Sequence, residues 1–520
     1  MRAMNRVRIS SSILLMALPF AAVAFEAQPP PFDVIVRNGR VMDGTGNPWF
    51  RVDIGIRGDR IVSIGALGNA TARTIIDAKD RLVTPGFIDV HSHAASGLER
   101  PELRQARPIL AQGVTTVVVN PDGGGPIDLT AQADRLTAGK IGPNVALLVG
   151  HGTVRREVLG NERRPPTPAE LDRMRGLIRR GMEAGAFGLS SGLFYAPGSY
   201  ASTEEVVELA KVAGEFGGVY TSHIRDEGDY NAGLLASVEE VIRIAEEGGV
   251  IGIVSHMKAL GPDNWGLGPA ATARIDGARA RGVQVFADQY PYEASSTGLR
   301  EALVPAGGAV SEPVVRENLR RRGGPDAIVI ASFKPDRSLE GKSLSQIAEA
   351  RGVSPERAAA EMIERGSASI VSFNMSEQDI RHIMTRPYTM ASSDGDLVAP
   401  GEGKPHPRNN GAFARRLAVY VRERHVVDLE SAIRSMTSLA ASVFGMKDRG
   451  VIRQGGVADL AIFDSTRVKD TATYEDPHKM AEGMSYVLVN GVVVLNEGRF
   501  TDALPGRVLR NQRHAPETPK

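Results

Sequence analysis

Two histidines, His91 and His93, close the run Phe87-Ile88-Asp89-Val90-His91-Ser92-His93. In an extended strand, residues i and i+2 project from the same face. Two imidazoles on one face at a strand's end can grip one divalent ion; alone, the pair reads equally well as surface histidines beside a loop. Further potential ligands follow, each closing its own apolar run: Asp122, His151, His223, His256 and Asp394. Imidazole and carboxylate together suit a zinc-type ion. With an open coordination position, such an ion lets water ionise near pH ~7. A neighbouring carboxylate can then move the proton to a leaving group. Asp394, in Ser392-Ser393-Asp394-Gly395, is the candidate for that step. Its other reading is a turn aspartate before glycine.

These residues meet only if the elements that carry them converge. The middle of the chain alternates strand-like runs (residues 87–93, 114–120, 144–150, 187–190, 219–223, 250–256, 283–290 and 389–394) with helical patterns such as 168–184 and 234–247. Repeated βα units argue for an α/β fold with a parallel sheet. Eight strands predict a closed (β/α)8 TIM-like barrel, whose chemistry sits at the C-terminal strand ends. The alternative, a doubly wound sheet, lacks a Gly-x-Gly-x-x-Gly turn after any strand. Six histidines stand at or beside strand ends if His406 is included; His382, His425, His478 and His514 lie in helical or tail contexts and are expected to be solvated.

Residues 292–389 exceed one barrel unit and hold two additional strand-like runs, so an inserted subdomain within about 298–375 is expected to cover the barrel mouth. Short alternating segments before residue 78 return at 458–463 and 487–494, the last around an Asn490-Gly491 hairpin signal. They predict a small β-sandwich built from both chain ends, residues 25–86 and 441–500, around a barrel of residues 87–440. The tail, 501–520, is polar from Arg507 onward and is expected to be loose.

The formal charge of the 520-residue chain is +1, from 62 basic and 61 acidic residues, which argues against a nucleic-acid partner or an anionic membrane surface. The absence of cysteine excludes disulfides, thiolate ligands and a cysteine nucleophile. Arg2, Arg6 and Arg8, an apolar run at 13–20 and Ala22-Val23-Ala24 read as a secretory signal over residues 1–24. The run is short for a bilayer span. Export to the periplasm or beyond, with no stable membrane association after cleavage, is expected; an uncleaved anchor is the alternative. The pattern commits to no oligomeric state.

Pro85-Gly86-Phe87-Ile88-Asp89-Val90-His91-Ser92-His93 resembles the first-strand signature of the metal-dependent amidohydrolase superfamily. Gly188-Leu189-Ser190-Ser191-Gly192-Leu193-Phe194-Tyr195, Ser222-His223-Ile224-Arg225, Ser255-His256-Met257-Lys258, Asp288-Gln289-Tyr290-Pro291-Tyr292, Ser393-Asp394-Gly395 and His406-Pro407-Arg408-Asn409 resemble the N-acyl-D-amino-acid deacylases, or D-aminoacylases, in that family's order. The resemblance runs from Asp33 to about Asn490.

It implies cleavage of N-acyl-D-amino acids to a carboxylate and a free amino acid, with a small carboxylate-bearing molecule as substrate. His223 and His256 would hold one tightly bound zinc. His91, His93 and Asp394 would border or bind a second, weaker divalent position, with Asp394 as general acid/base. Lys258, Tyr290 and Ser296 would engage the substrate carboxylate, Tyr195 would line the pocket, and Arg408 would add an anion contact. One departure stands out: where the family carries a bridging cysteine after strand two, this chain reads Asn120-Pro121-Asp122-Gly123. Asp122 is therefore expected as a ligand by position. No lysine in residues 187–191 supplies the bridging carbamate of other amidohydrolases. His151 reads as a substrate contact, as a partner behind a ligand, or as a structural histidine. Hydrolysis of another carboxylate-bearing amide, a dipeptide or a lactone, and ligand binding without catalysis, are the competing readings.

Overall fold

The computed structural model describes residues 31–513. The signal-like segment 1–24, and residues 514–520 with His514, lie outside the described residues.

Eight parallel strands form the barrel: β1 (Phe87–Asp89), β2 (Val114–Val119), β3 (Asn144–Leu147, continued by Val149–Gly150), β4 (Gly188–Gly192), β5 (Val219–His223), β6 (Ile251–Val254), β7 (Val285–Gln289) and β8 (Thr389–Ala391). Neighbours pair in parallel from β1 to β8, for example Val117 with Val145, Leu189 with Tyr220 and Ala287 with Thr389. β2 is wholly buried, and its β-branched residues suit a strand covered on both faces.

The ring closes just beyond the ends of β8 and β1. Ser92 bridges Gly395 in parallel, the Asp394 N–H donates to the His91 carbonyl (2.9 Å), and the His93 N–H donates to the Gly395 carbonyl (2.9 Å). Asp89 reinforces the closure by accepting from the Ser393 N–H (2.9 Å) and from the Ser393 hydroxyl.

Regular pairing stops earlier than the sequence pattern predicts. β1 ends at Asp89, β6 at Val254 and β8 at Ala391. His223 is the last residue of β5, whereas the other candidate ligands stand on the irregular backbone just past their strands. The Asp89 carboxylate also accepts from the His91 N–H (3.3 Å) and so turns the chain there.

Between β7 and β8, strands Ala294–Gly298, Ile328–Phe333 and Ala368–Phe373 form a separate antiparallel sheet with the last of them central. Four helices, Leu299–Leu303, Glu312–Arg321, Leu344–Arg351 and Pro355–Arg365, complete this insert, which has its own core of residues such as Leu303, Leu319, Phe333 and Met362.

A four-stranded and a seven-stranded sheet share a second core that includes Val36, Ile54, Val83, Ile462 and Leu488. The larger sheet pairs Leu82–Pro85 with Leu460–Phe463, so both chain ends build the sandwich. Asn490 (φ 49°) and Gly491 (φ 78°) make the two-residue hairpin turn between Met484–Val489 and Val492–Asn496. Positive φ at both central residues marks the turn that matches strand twist.

The tail corrects an expectation. Residues 507–513 are not loose: they lace the end of the barrel opposite the ligand-bearing tips. The Leu509 N–H donates to Val145 (2.7 Å), the Asn511 N–H to Gly185 (3.0 Å), and the Arg513 guanidinium to the carbonyls of Gly217, Ser442 and Val443. Carbonyls left over at the ends of barrel elements need donors, and this polar segment supplies them. Among the described residues, no helix is long and apolar enough to cross a membrane.

Phe87 joins the two units. It is fully buried, stacks on Phe413 (6.1 Å between centroids) and meets Phe463 of the sandwich edge-on (6.1 Å). Phe87→Ala is expected to destabilise the protein by about 3–5 kcal/mol, read as a lower urea midpoint.

Candidate metal centre

The ends of β1, β2, β5, β6 and β8 surround one cavity of about 650 Å³. Asp122 stands at its centre. Asp122 Oδ1 lies 3.4 Å from His91 Nε2 and 3.6 Å from His256 Nε2; Asp122 Oδ2 lies 3.4 Å from His93 Nε2 and 4.0 Å from His223 Nδ1. Asp394 Oδ1 lies 3.2 Å from His93 Nε2 and 3.6 Å from His91 Nε2.

The donors fall into two groups, His91/His93/Asp122/Asp394 and Asp122/His223/His256. Within each, the ligand atoms lie within 4.8 Å of one another. Asp122 belongs to both.

Buried polar atoms are almost always satisfied. Here His91 Nε2, His223 Nδ1 and Asp122 Oδ1 are buried without a hydrogen-bond partner. Orphaned nitrogen and oxygen donors gathered this closely fit divalent zinc. Burial opposes ionisation of Asp122, but the imidazoles of His91, His256 and His93 outweigh it and hold the carboxyl well below the usual range. Burial likewise opposes ionisation of Asp394, and Arg408 with His256 and His93 overcomes it.

Local backbone aims these groups. Asp122 (φ 55°), His256 (φ 34°) and Asp394 (φ 49°) all occupy the left-handed region, which non-glycine residues rarely adopt. The His256 N–H is held by Asp288 Oδ1 (2.9 Å). Next to Asp122, Gly123 has φ 71°, and a Cβ there would meet the Gly152 and Gly192 nitrogens at 3.0 Å, so the turn that presents Asp122 requires glycine.

Tyr195, Lys258, Tyr290, Ser296 and Arg408 line the same cavity. Arg408, in the first turn of helix Arg408–Arg415, places Nη1 2.7 Å from Asp394 Oδ2 and its guanidinium 4.6 Å from the Tyr290 ring centroid. The Tyr195 hydroxyl lies 3.2 Å from Thr297 Oγ1 of the insert.

Lys258 is paired with Glu227, a residue the sequence reading passed over. Glu227 Oε1 also lies 3.0 Å from His256 Nδ1. As acceptor of an Nδ1–H it leaves Nε2 free to ligate. Lys258 Nζ lies 2.9 Å from the same Nδ1. Only one of the two contacts can act at a time, and the ligating tautomer is the one Glu227 favours. The available signal was position: Glu227 follows His223 by four residues, in the loop that leaves β5.

Two histidines near strand ends, His151 and His406, are spent elsewhere. His151 is fully buried but turns away from the cavity, with Nε2 3.2 Å from Glu205 Oε1, and Glu205 also binds Arg155. It opens helix His151–Leu159, and that direction carries its ring toward the neighbouring helix Thr203–Glu215. Its reading as a substrate contact is thereby corrected. His406 donates from Nε2 to the Ala294 carbonyl (2.9 Å) and accepts the Arg408 N–H at Nδ1 (3.0 Å), leaving no nitrogen for a metal. His382 and His478, expected in solvent, are half-buried beside Thr272 Oγ1 (2.9 Å) and the Gly403 carbonyl (3.0 Å); His425 is exposed.

The amidohydrolase family profile matches residues 74–495. A D-aminoacylase of Alcaligenes xylosoxydans xylosoxydans is 37% identical, covering 93% of this chain and 99% of the relative. A crystal structure of N-acyl-D-glutamate deacylase from Bordetella bronchiseptica, complexed with zinc and a phosphonate inhibitor, superposes with a TM-score of 0.82 at 37% identity, over 92% of this chain and 99% of that one. A D-aminoacylase structure addressing its binuclear metal centre gives 0.82 at 35% identity, over 92% and 100%.

Glu227→Gln is expected to weaken zinc binding by about 10–100-fold in a chelator competition, because His256 loses its orienting carboxylate. His151→Asn is expected to leave zinc affinity unchanged in the same titration.

Proposed function

The chain belongs to the amidohydrolase family, and from that premise we propose that it is a zinc-dependent hydrolase of N-acyl-D-amino acids, releasing a carboxylate and the free D-amino acid. The observation that carries this reading is the convergence of four histidines and two aspartates on one cavity whose other wall presents cations and hydroxyls.

His223, His256 and Asp122 would hold the principal zinc, and Asp122 would share a second position with His91, His93 and Asp394. When bound, zinc supplies a Lewis acid that polarises the amide carbonyl and lets water lose a proton near neutral pH. Asp394 is ionised and oriented by Arg408, so it can take a proton from the attacking water. It then delivers that proton to the amide nitrogen as the C–N bond breaks.

Burial, with Asp122 nearby, pushes the Tyr195 phenol well above its ordinary value, so its hydroxyl keeps the proton it would donate to the carbonyl oxygen. Arg408, Tyr290 and Ser296 supply the side of the cavity that suits the α-carboxylate, with Lys258 adding charge that Glu227 balances. The signal-like residues 1–24 support export as the setting for this activity.

Zinc-loaded protein is expected to hydrolyse N-acetyl-D-amino acids and to discriminate against their L-enantiomers; turnover after complete metal removal overturns the mechanism. Asp394→Asn is expected to keep its principal zinc while kcat falls by about 10²–10⁴-fold, followed by amine release and metal analysis on the same sample.

A further inference from the structure

Four cationic side chains line the cavity apart from its histidines: Arg135, Lys258, Arg322 and Arg408. Three have a carboxylate partner. Arg135 pairs with Glu99 (3.1 Å) at the rim, Lys258 with Glu227, and Arg408 with Asp394 (2.7 Å). Arg322 has none within 4.0 Å among the described residues, yet it is only 2% exposed.

Its partners are all neutral. Nε donates to the Ala302 carbonyl (3.4 Å), Nη1 lies 3.1 Å from the Asn374 side-chain oxygen, with that amide turned to satisfy its neighbours, and the guanidinium sits 5.8 Å from the Tyr230 ring centroid. A buried charge without a counter-ion is costly to maintain. In a cavity wall, that cost is relieved when an anion enters, and a guanidinium fork matches a carboxylate in shape.

Arg322 directly follows helix Glu312–Arg321, so it belongs to the insert and not to the barrel. Ser295, Thr297 and Ser369 of the insert sheet line the same cavity.

We propose that Arg322 receives a second carboxylate of the substrate, so that this enzyme favours dicarboxylic N-acyl-D-amino acids. The inference rests on the deacylase reading above and deepens it. The second carboxylate is carried by the amino acid's side chain or by the acyl arm, and paired substrates separate the two.

In zinc-loaded protein, kcat/KM is compared for N-acetyl-D-glutamate against its uncharged isostere N-acetyl-D-glutamine, and for N-succinyl-D-leucine against N-pentanoyl-D-leucine. The charged member of one pair is expected to be favoured by at least about tenfold, since a site built for a polar group discriminates strongly against its absence. The pair that shows the preference identifies the source. In Arg322→Gln the ratio is expected to fall to about 1, and Arg322→Lys is expected to recover part of it. Absence of a preference in both pairs, or a ratio that survives Arg322→Gln because all substrates lose equally, overturns the proposal.

A binding arm stands apart from turnover. Glutarate is expected to raise the melting temperature of the zinc-loaded protein more than butyrate does, with the difference lost in Arg322→Gln. Equal shifts overturn the second anion position whatever bond the enzyme cleaves, whereas a glutarate-specific shift without turnover of any N-acyl-D-amino acid overturns only the deacylase reading.

Discussion

The Asp89 carboxylate clasps the last barrel strand to the first. Its oxygens accept the N–H and hydroxyl of Ser393, 304 residues along the chain, and the N–H of His91. Burial pushes this carboxyl up to about 6, against the pull of the Ser393 bonds and His91. The group is therefore expensive to bury, and its bonds make the position tenable. What it secures is the closing seam of the barrel, where His91, His93 and Asp394 stand beside one another. Without that seam the donors around Asp122 would be a half-circle.

A second constraint is stored in the backbone. Asp122, His256 and Asp394 each sit in a left-handed conformation. Such positions cost about 1–3 kcal/mol each and persist only where the surroundings over-determine them. The surroundings here are visible: Gly123 packed against the Gly152 and Gly192 nitrogens, Asp288 holding the His256 N–H, and the hydrogen bonds across the barrel seam holding Asp394. Strain of this kind turns a side chain inward at a point where a regular strand would alternate it away from the axis.

Labour is divided between the barrel and its insert. The barrel supplies every candidate metal donor. The insert supplies Ser296 and Thr297 from its sheet and Arg322 from the end of helix Glu312–Arg321, on a unit with its own core. Such an arrangement lets the recognition wall vary without disturbing the donors, because the two sets are anchored in different packing units.

The sequence by itself determined the periodic parts and their order. Eight apolar runs separated by helical patterns specified the barrel, Asn490-Gly491 specified a hairpin turn, and the alternating ends specified the sandwich. The potential ligands His91, His93, Asp122, His223, His256 and Asp394 were legible because they stand at or just past the ends of five strands, and strands of a parallel barrel all point their C-terminal ends the same way. What only the tertiary structure decided was which neighbour each side chain meets. His151 and His256 both follow barrel strands, yet one turns toward Glu205 on an outer helix and the other toward Asp122. His406 spends both nitrogens on backbone, Glu227 reaches back to His256, and a polar tail finds unpaired carbonyls to bind. Periodicity encodes the face on which a residue lies; its partner depends on loop backbone and on contacts between segments hundreds of residues apart, which no local pattern contains.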